Sequence, residues 1–169
     1  MDINFCIKCG SKLILKEIGD EGNQKYCEKC DKYYFDNPVP CVLVLILNQN
    51  KEALLLKQSY IIKDKWTLCS GYTKKEETLE ETVSREVFEE TGQTVLSCDY
   101  IKSYYFAPKN LIMAGFIAYV NKKEFGDSKE VDDLKWESLE TTGELLAREN
   151  NLSGKHFDEC FNFLKGEQV

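Results

Sequence analysis

Apolar and polar positions along the chain fall into short extended segments and a few helices. "CVLVLILN" (41–48) is an unbroken apolar run bounded by turn formers, which predicts a buried strand. "NQNK" supplies a turn, and "EALLLKQ" (52–58) predicts a second strand. "KWTLCSG" (65–71) is a short apolar segment ending on glycine. "VLSCDYIKSYYFA" (95–107) and "LIMAGFIAYV" (111–120) predict two more strands, and "EVDDLKWE" (130–137) a further short one. Residues 78–91 carry helical periodicity instead: Leu79, Val83 and Val87 recur every four positions. Thr78 and Glu81 form a capping-box pattern at the start, and Gly92 suits a left-handed stop. The C-terminal stretch is helical in two pieces, 140–149 and 153–165.

Before residue 37, alternation on either side of "GDEGN" predicts a small hairpin, and "NPVP" (37–40) reads as a rigid joint. Strands and helices mix without a regular βαβ rhythm. The expected fold class is therefore α/β, an α/β/α sandwich with a mixed sheet over residues 37–169, preceded by a small unit at 1–36.

Composition narrows the partners. The chain has 169 residues, 43% hydrophobic, enough for one full domain and a small satellite. A net charge of −7 argues against unaided binding to nucleic acid or an anionic membrane, so a small molecule is the expected partner. A phosphate substrate would need a cation to bridge it to such a surface. "MDINFCIKCG" has no basic lead and no apolar core, and the run 41–47 is too short to span a bilayer. Cytoplasmic localisation is the expectation.

Four of the eight cysteines are paired as "CIKC" (Cys6, Cys9) and "CEKC" (Cys27, Cys30). Two intervening residues let both thiolates of a knuckle reach one tetrahedral ion, and two knuckles predict a structural Zn²⁺ site, a zinc ribbon. Disulfides or free thiols are the alternative. The ribbon is too small to fold on burial alone, so the metal supplies the missing stability. With six Lys against seven Asp and Glu, it has no basic face for nucleic acid. Cys41, Cys69, Cys98 and Cys160 stand among apolar neighbours and read as small buried hydrophobes.

The predicted helix 78–91 holds the candidate chemistry. Glu86, Glu89 and Glu90 fall on one arc of about 100°, bordering the apolar stripe. Like charges at that spacing repel, and partial burial makes it worse. Arg85, four residues from both Glu81 and Glu89, offsets part of this charge. A divalent cation offsets the rest, and hard carboxylate oxygens favour Mg²⁺ or Mn²⁺. A solvated acidic face is the alternative.

The surroundings favour the cation. Gly71, then five residues, Glu77, seven residues, Arg85-Glu86-Val87-Phe88-Glu89-Glu90-Thr91-Gly92 resembles the Nudix box of the Nudix hydrolase family. Every charged and glycine position of that motif matches. Gln93 departs from it, standing where the family carries an aliphatic residue. The resemblance implies that Glu86, Glu89 and Glu90 are ligands with help from the Gly71 carbonyl, and that Arg85 and Glu77 orient them. It further implies hydrolysis of a diphosphate linkage in a nucleoside diphosphate derivative by water attack on phosphorus. Glu130, in "SKEVDDLKW", is the expected extra acidic ligand or base, with Asp132 and Asp133 in reserve. Glu86 and Glu130 both fit the general base.

A four-cysteine ribbon ahead of such a domain resembles the NADH pyrophosphatase branch of that family, whose members often form homodimers. "SYYFAPKNLIM" (103–113) matches that branch's post-box motif at Ser103, Phe106 and Ile112-Met113 and differs elsewhere. NAD(H) and ADP-ribose-like compounds are candidate substrates. Tyr104, Tyr105 and Phe106 are candidates for stacking on a nucleobase. Trp66 and Tyr72, which flank the entrance of the box, are candidates for lining the pocket, with Gln58 a weaker one of the same kind; packing is the alternative for each. His156, the lone histidine, reads as a surface or internally satisfied residue without a visible partner. The competing function is a non-catalytic nucleotide-sensing regulatory module.

Overall fold

The structure, a computed structural model, describes residues 3–59, 63–147 and 151–166. The chain divides into two compact units, Met1–Pro38 and Val39–Val169, with the division inside the "NPVP" segment.

In the first unit, β1 (Ile14–Glu17) and β2 (Asn23–Cys27) form the expected antiparallel hairpin around a single 3-10 turn. A third strand, β3 (Lys32–Tyr34), joins β2 and was not legible in the pattern. The unit's core cluster has three buried members, Cys6, Leu13 and Cys27, with Ile3, Cys9, Cys30 and Tyr34 packed around them.

The second unit is a mixed seven-stranded sheet between helices. β4 (Val39–Asn48) is central and buried from Cys41 onward, as expected of an unbroken apolar run. β5 (Glu52–Lys57) turns back against it. The segment at 65–71 is two short strands, β6 (Trp66–Thr67) and β7 (Cys69–Tyr72), interrupted at Leu68 so that β6 pairs with β5 and β7 with β4. α1 (Leu79–Thr91) follows, then the antiparallel pair β8 (Val95–Phe106) and β9 (Leu111–Val120), β10 (Asp133–Ser138), α2 (Leu139–Ala147) and α3 (Leu152–Lys165). The predicted helix 140–149 runs past residue 147 into positions outside the described residues.

The sheet order is β10-β5-β4-β9-β8. β4 and β9 run parallel in register from Val39↔Leu111 to Asn48↔Val120, and the other pairings are antiparallel. Strand alternation sorts the core into two layers. Val42, Val44, Ile46, Leu54 and Leu56 face α1 through Val83 and Val87, while Leu43, Leu45, Leu47 and Leu55 face α2 and α3 through Leu146, Phe157 and Cys160.

His156 is not on the surface. It is wholly buried in α3, its Nε2 donates to the Phe116 carbonyl at 3.0 Å, and its Nδ1 lies 3.1 Å from the Tyr104 hydroxyl. Both ring nitrogens are satisfied, and burial pulls its pKa below the usual histidine value. Cys41, Cys69 and Cys160 are buried; Cys98 is partly exposed.

Candidate active site

α1 begins and ends on the signals its sequence carries. The Glu81 N–H donates to Thr78 Oγ1 at 3.2 Å, and the Glu81 carboxylate accepts the Thr78 N–H at 2.8 Å. Gly92 closes the helix in the left-handed region, its N–H donating to the Phe88 carbonyl. Glu81 is thereby spent on the cap and is not a partner of Arg85.

Arg85 grips other groups. Its Nε and one terminal nitrogen bind Glu77 in a fork at 2.5 and 2.9 Å. The same terminal nitrogen donates to the Tyr72 carbonyl at 2.9 Å. The other terminal nitrogen reaches Glu86 at 2.7 Å and Glu89 at 3.0 Å. Glu77 also accepts from the Lys74 N–H and the Thr82 hydroxyl. The Arg85 guanidinium, with help from these donors, holds the Glu77 carboxyl down at about 2. The loop between β7 and α1 is thus tied to the helix by charged hydrogen bonds.

Glu90 faces inward. It is 3% exposed, and Gln58 Nε2 donates to its Oε1 at 2.6 Å. Its Oε2 is buried and has no hydrogen-bond partner among the described residues. Burial, opposed in part by the Cys69 thiol and the Gln58 amide and reinforced by Glu86 and Glu130, pushes its pKa up to about 7. Glu86 is also raised by burial, against the pull of Arg85. Glu89 is half exposed and shared between Arg85 and Lys74.

Glu86, Glu89, Glu90 and Glu130 line one cavity of about 230 Å³, with Asp127, Ser128 and Lys129 completing its wall. The donor chemistry, hard oxygens with one of them buried and orphaned, suits a divalent cation, although among the described residues it is the cysteine quartet that already has its ligand atoms within 4.8 Å of one another. Gly71 lies directly against the Glu86 side chain. A Cβ there would lie 1.9 Å from the Glu86 carboxyl carbon. Gly71→Ala should therefore displace the Glu86 side chain and leave the backbone in place. The expected result is Mn²⁺ affinity reduced by about 10-fold or more, read by electron paramagnetic resonance, with little change in melting temperature.

In the first unit the four cysteine sulfurs lie within 4.8 Å of one another, with Cys6–Cys30 at 3.8 Å and Cys9–Cys27 at 3.6 Å. A tetrahedral thiolate site with bonds of about 2.3 Å has edges of about 3.8 Å, so the quartet fits one metal ion. The Tyr34 hydroxyl, 3.1 Å from Cys6 Sγ, is the main cause that lowers that thiol to about 6.

The family model described as "NUDIX domain" matches residues 37–160. The chain belongs to the NUDIX family. Among curated NUDIX relatives, Nudix hydrolase 19, chloroplastic, of Arabidopsis thaliana is 34% identical over 152 residues, covering 85% of this chain and 34% of that protein. NAD-capped RNA hydrolase NudC of Photobacterium profundum is 31% identical over 135 residues, covering 79% of this chain and 49% of that protein. The chain thus spans between a third and a half of the length of these two relatives. A NUDIX hydrolase from Nitrosomonas europaea has the same fold, with a TM-score of 0.64 at 25% identity over 80% of this chain and 78% of that one. So does the NUDIX domain of Shewanella oneidensis NrtR complexed with ADP ribose, with a TM-score of 0.63 at 18% identity over 82% and 94%.

The Nudix helix and the loop before β10 bring Glu86, Glu89, Glu90 and Glu130 together. The reserves are engaged elsewhere: Asp132 accepts the Ser59 N–H at 2.6 Å, and Asp133 the Leu134 N–H. Tyr72 is 52% exposed on β7 and does not line the carboxylate cavity. Trp66, Tyr104 and Phe106 are not on the wall of the carboxylate cavity. They pack against the cluster under α2 and α3, Tyr104 bonded to His156 and Trp66 with Lys57 and Lys135 each 4.5 Å from its ring centre. Sequence reasoning missed the Gln58–Glu90 bond. Period-two alternation held the signal, because Gln58 follows Leu54 and Leu56 on the face toward α1.

Proposed function

We propose that the chain hydrolyses the diphosphate linkage of a nucleoside diphosphate derivative, with Mg²⁺ or Mn²⁺ held by Glu86, Glu89, Glu90 and Glu130 and the Gly71 carbonyl. The observation that carries this reading is the buried, unpartnered Glu90 Oε2 on the wall that Glu86, Glu89 and Glu130 share. When bound, the cation neutralises the diphosphate and acidifies a water. Glu86 or Glu130 takes the proton of the attacking water at a carboxylate oxygen. The water oxygen forms a bond to phosphorus, and the bridging P–O bond breaks with its electron pair leaving on the departing phosphate. Arg85 and Glu77 keep Glu86 and Glu89 oriented. Exposed Tyr72, next to Gly71 in sequence and held through its carbonyl by Arg85, is the first candidate for contacting a base. Zn²⁺ in the cysteine quartet has a structural role.

The names of the NudC relatives put NAD-capped RNA among the substrates of those proteins. The linkage in such a cap is the same diphosphate as in NAD, so the proposed chemistry covers both. The small dinucleotide is the favoured substrate on charge grounds, since the chain carries −7 and an RNA body would have to meet that surface. No helix among the described residues is long and apolar enough to cross a membrane.

The test incubates the chain with NAD⁺, NADH, ADP-ribose, nucleoside triphosphates and a short NAD-capped RNA, each with Mg²⁺ or Mn²⁺, and weighs the products. Mononucleotide products from a dinucleotide or from ADP-ribose support the proposal. Tight binding without any product favours the nucleotide-sensing module.

A further inference from the structure

The segment that carries Glu130 is suspended between two fastenings. At its C-terminal end the Asp132 N–H donates to the Lys57 carbonyl at 2.8 Å, and the Asp132 carboxylate accepts the Ser59 N–H. At its N-terminal end Phe125 stacks on Trp136 with ring centres 6.4 Å apart, and the polar fastening is Gln93. This side chain is wholly buried and closes both ends of its amide on the segment's backbone. Oε1 accepts the Lys123 N–H at 2.9 Å, while Nε2 lies 3.2 Å from the Lys123 carbonyl, 3.3 Å from the Glu124 carbonyl and 3.3 Å from the Thr91 carbonyl. Alongside, the Gly126 N–H donates to the Thr91 carbonyl at 3.1 Å. The backbones approach so closely that a Cβ at Gly92 would lie 2.4 Å from Gly126 N. Between the fastenings Asp127, Ser128, Lys129 and Glu130 form one wall of the carboxylate cavity.

Gln93 is the single position of the box where this chain departs from the aliphatic residue of the motif. An aliphatic side chain could fill the space, but it would offer the Lys123 N–H and the Glu124 carbonyl nothing to bond. Backbone groups near a buried site that lose their partner pull the segment toward water. We propose that Gln93 is a positioning residue, which holds residues 123–130 on the end of α1 so that Glu130 stays at the cavity. This rests on the hydrolase reading above for its catalytic consequence, and on geometry alone for the holding itself.

The test compares the full chain with Gln93→Leu, Glu130→Gln and the double variant. Amide hydrogen exchange of residues 123–131 reads the holding without metal or substrate. Gln93→Leu should speed exchange there by about 10-fold or more, while α1 and β9 keep their protection. Turnover of the best diphosphate substrate, with metal saturating, reads the consequence. Gln93→Leu should lower kcat by about 10- to 100-fold with KM little changed. The double variant should be no slower than Glu130→Gln alone, because the two losses are the same loss. Losses that multiply, or unchanged exchange at 123–131, overturn the inference. Should Gln93→Leu fail to fold, Gly126→Ala tests the same approach from the exposed side. Its Cβ would stand 2.9 Å from Gly92 Cα and must lift the segment, giving the same exchange and kcat signature. A wild-type chain inert toward every diphosphate sinks the hydrolase reading instead, and the exchange result still decides whether Gln93 holds the segment.

Discussion

Glu90→Gln is expected to lower turnover on the order of 10³-fold and to leave the metal-free fold intact or firmer. The two halves of this expectation come from one side chain. Glu90 is almost fully buried, one oxygen held by Gln58 and the other without a partner. Glutamine has the same shape, so no cavity opens. Its carbonyl can take the Gln58 hydrogen bond, which turns its NH₂ into the cavity, where donors repel a cation. Removing a preorganised electrostatic interaction from the reacting centre costs on the order of 10²–10³ in rate, and here the cation's own anchorage goes with it. Stability moves the other way. Burial raises the Glu90 pKa from 4.5 to about 7, so the folded chain binds a proton that the unfolded chain releases between those values. Folding is therefore progressively penalised as pH rises through that window, and the neutral amide escapes the penalty. In chelator, the melting temperature of Glu90→Gln relative to wild type should rise from pH 4.5 to pH 7 and then level off. Wild-type kcat in this variant would remove Glu90 from the site.

Removing the metal proposed for the cysteine quartet, or replacing Cys27 with Ser, is expected to unfold the first unit. Its core cluster has three buried members, two of them metal-ligand candidates, and every residue of β1 is exposed. That burial cannot offset the ordering of some three dozen residues. Structural Zn²⁺ contributes about 10–16 kcal/mol in comparable small sites, which is the scale required. Hydrogen exchange should show β2 and β3 losing protection on chelation while β4 and β9 keep theirs. Co²⁺ in place of Zn²⁺ should give a thiolate charge-transfer band that vanishes in Cys27→Ser. Unaltered protection of residues 23–27 without metal would refute the assignment.

Local signals in the sequence reached far. Thr78, Glu81 and Gly92 bound α1 because caps are short-range chemistry, and the apolar runs located β4, β5 and β9 because burial dictates them; β8, none of whose residues is fully buried, was located by its β-branched and aromatic content instead. Sheet order was not legible. β4 runs parallel to β9 across some seventy intervening residues, and no local pattern encodes which strand lies beside which. The break at Leu68 was hidden for the same reason, since it depends on β6 and β7 choosing different neighbours. Buried polar residues were the hardest. His156, Gln58 and Gln93 look like surface residues in a sequence, and only tertiary partners make their burial tolerable. The Glu86, Glu89 and Glu90 spacing was readable because a helix fixes it; which carboxylate oxygen is left unpartnered was not.

Arg85 has five N–H groups and makes five bonds, to Glu77 twice, Glu86, Glu89 and the Tyr72 carbonyl. A guanidinium so occupied has no hydrogen to spare for an incoming phosphate. The positive charge that meets a nucleotide here has to arrive with it or come from a lysine such as Lys129, and a lysine at position 85, with three donors on a single nitrogen, could not hold the same four partners apart.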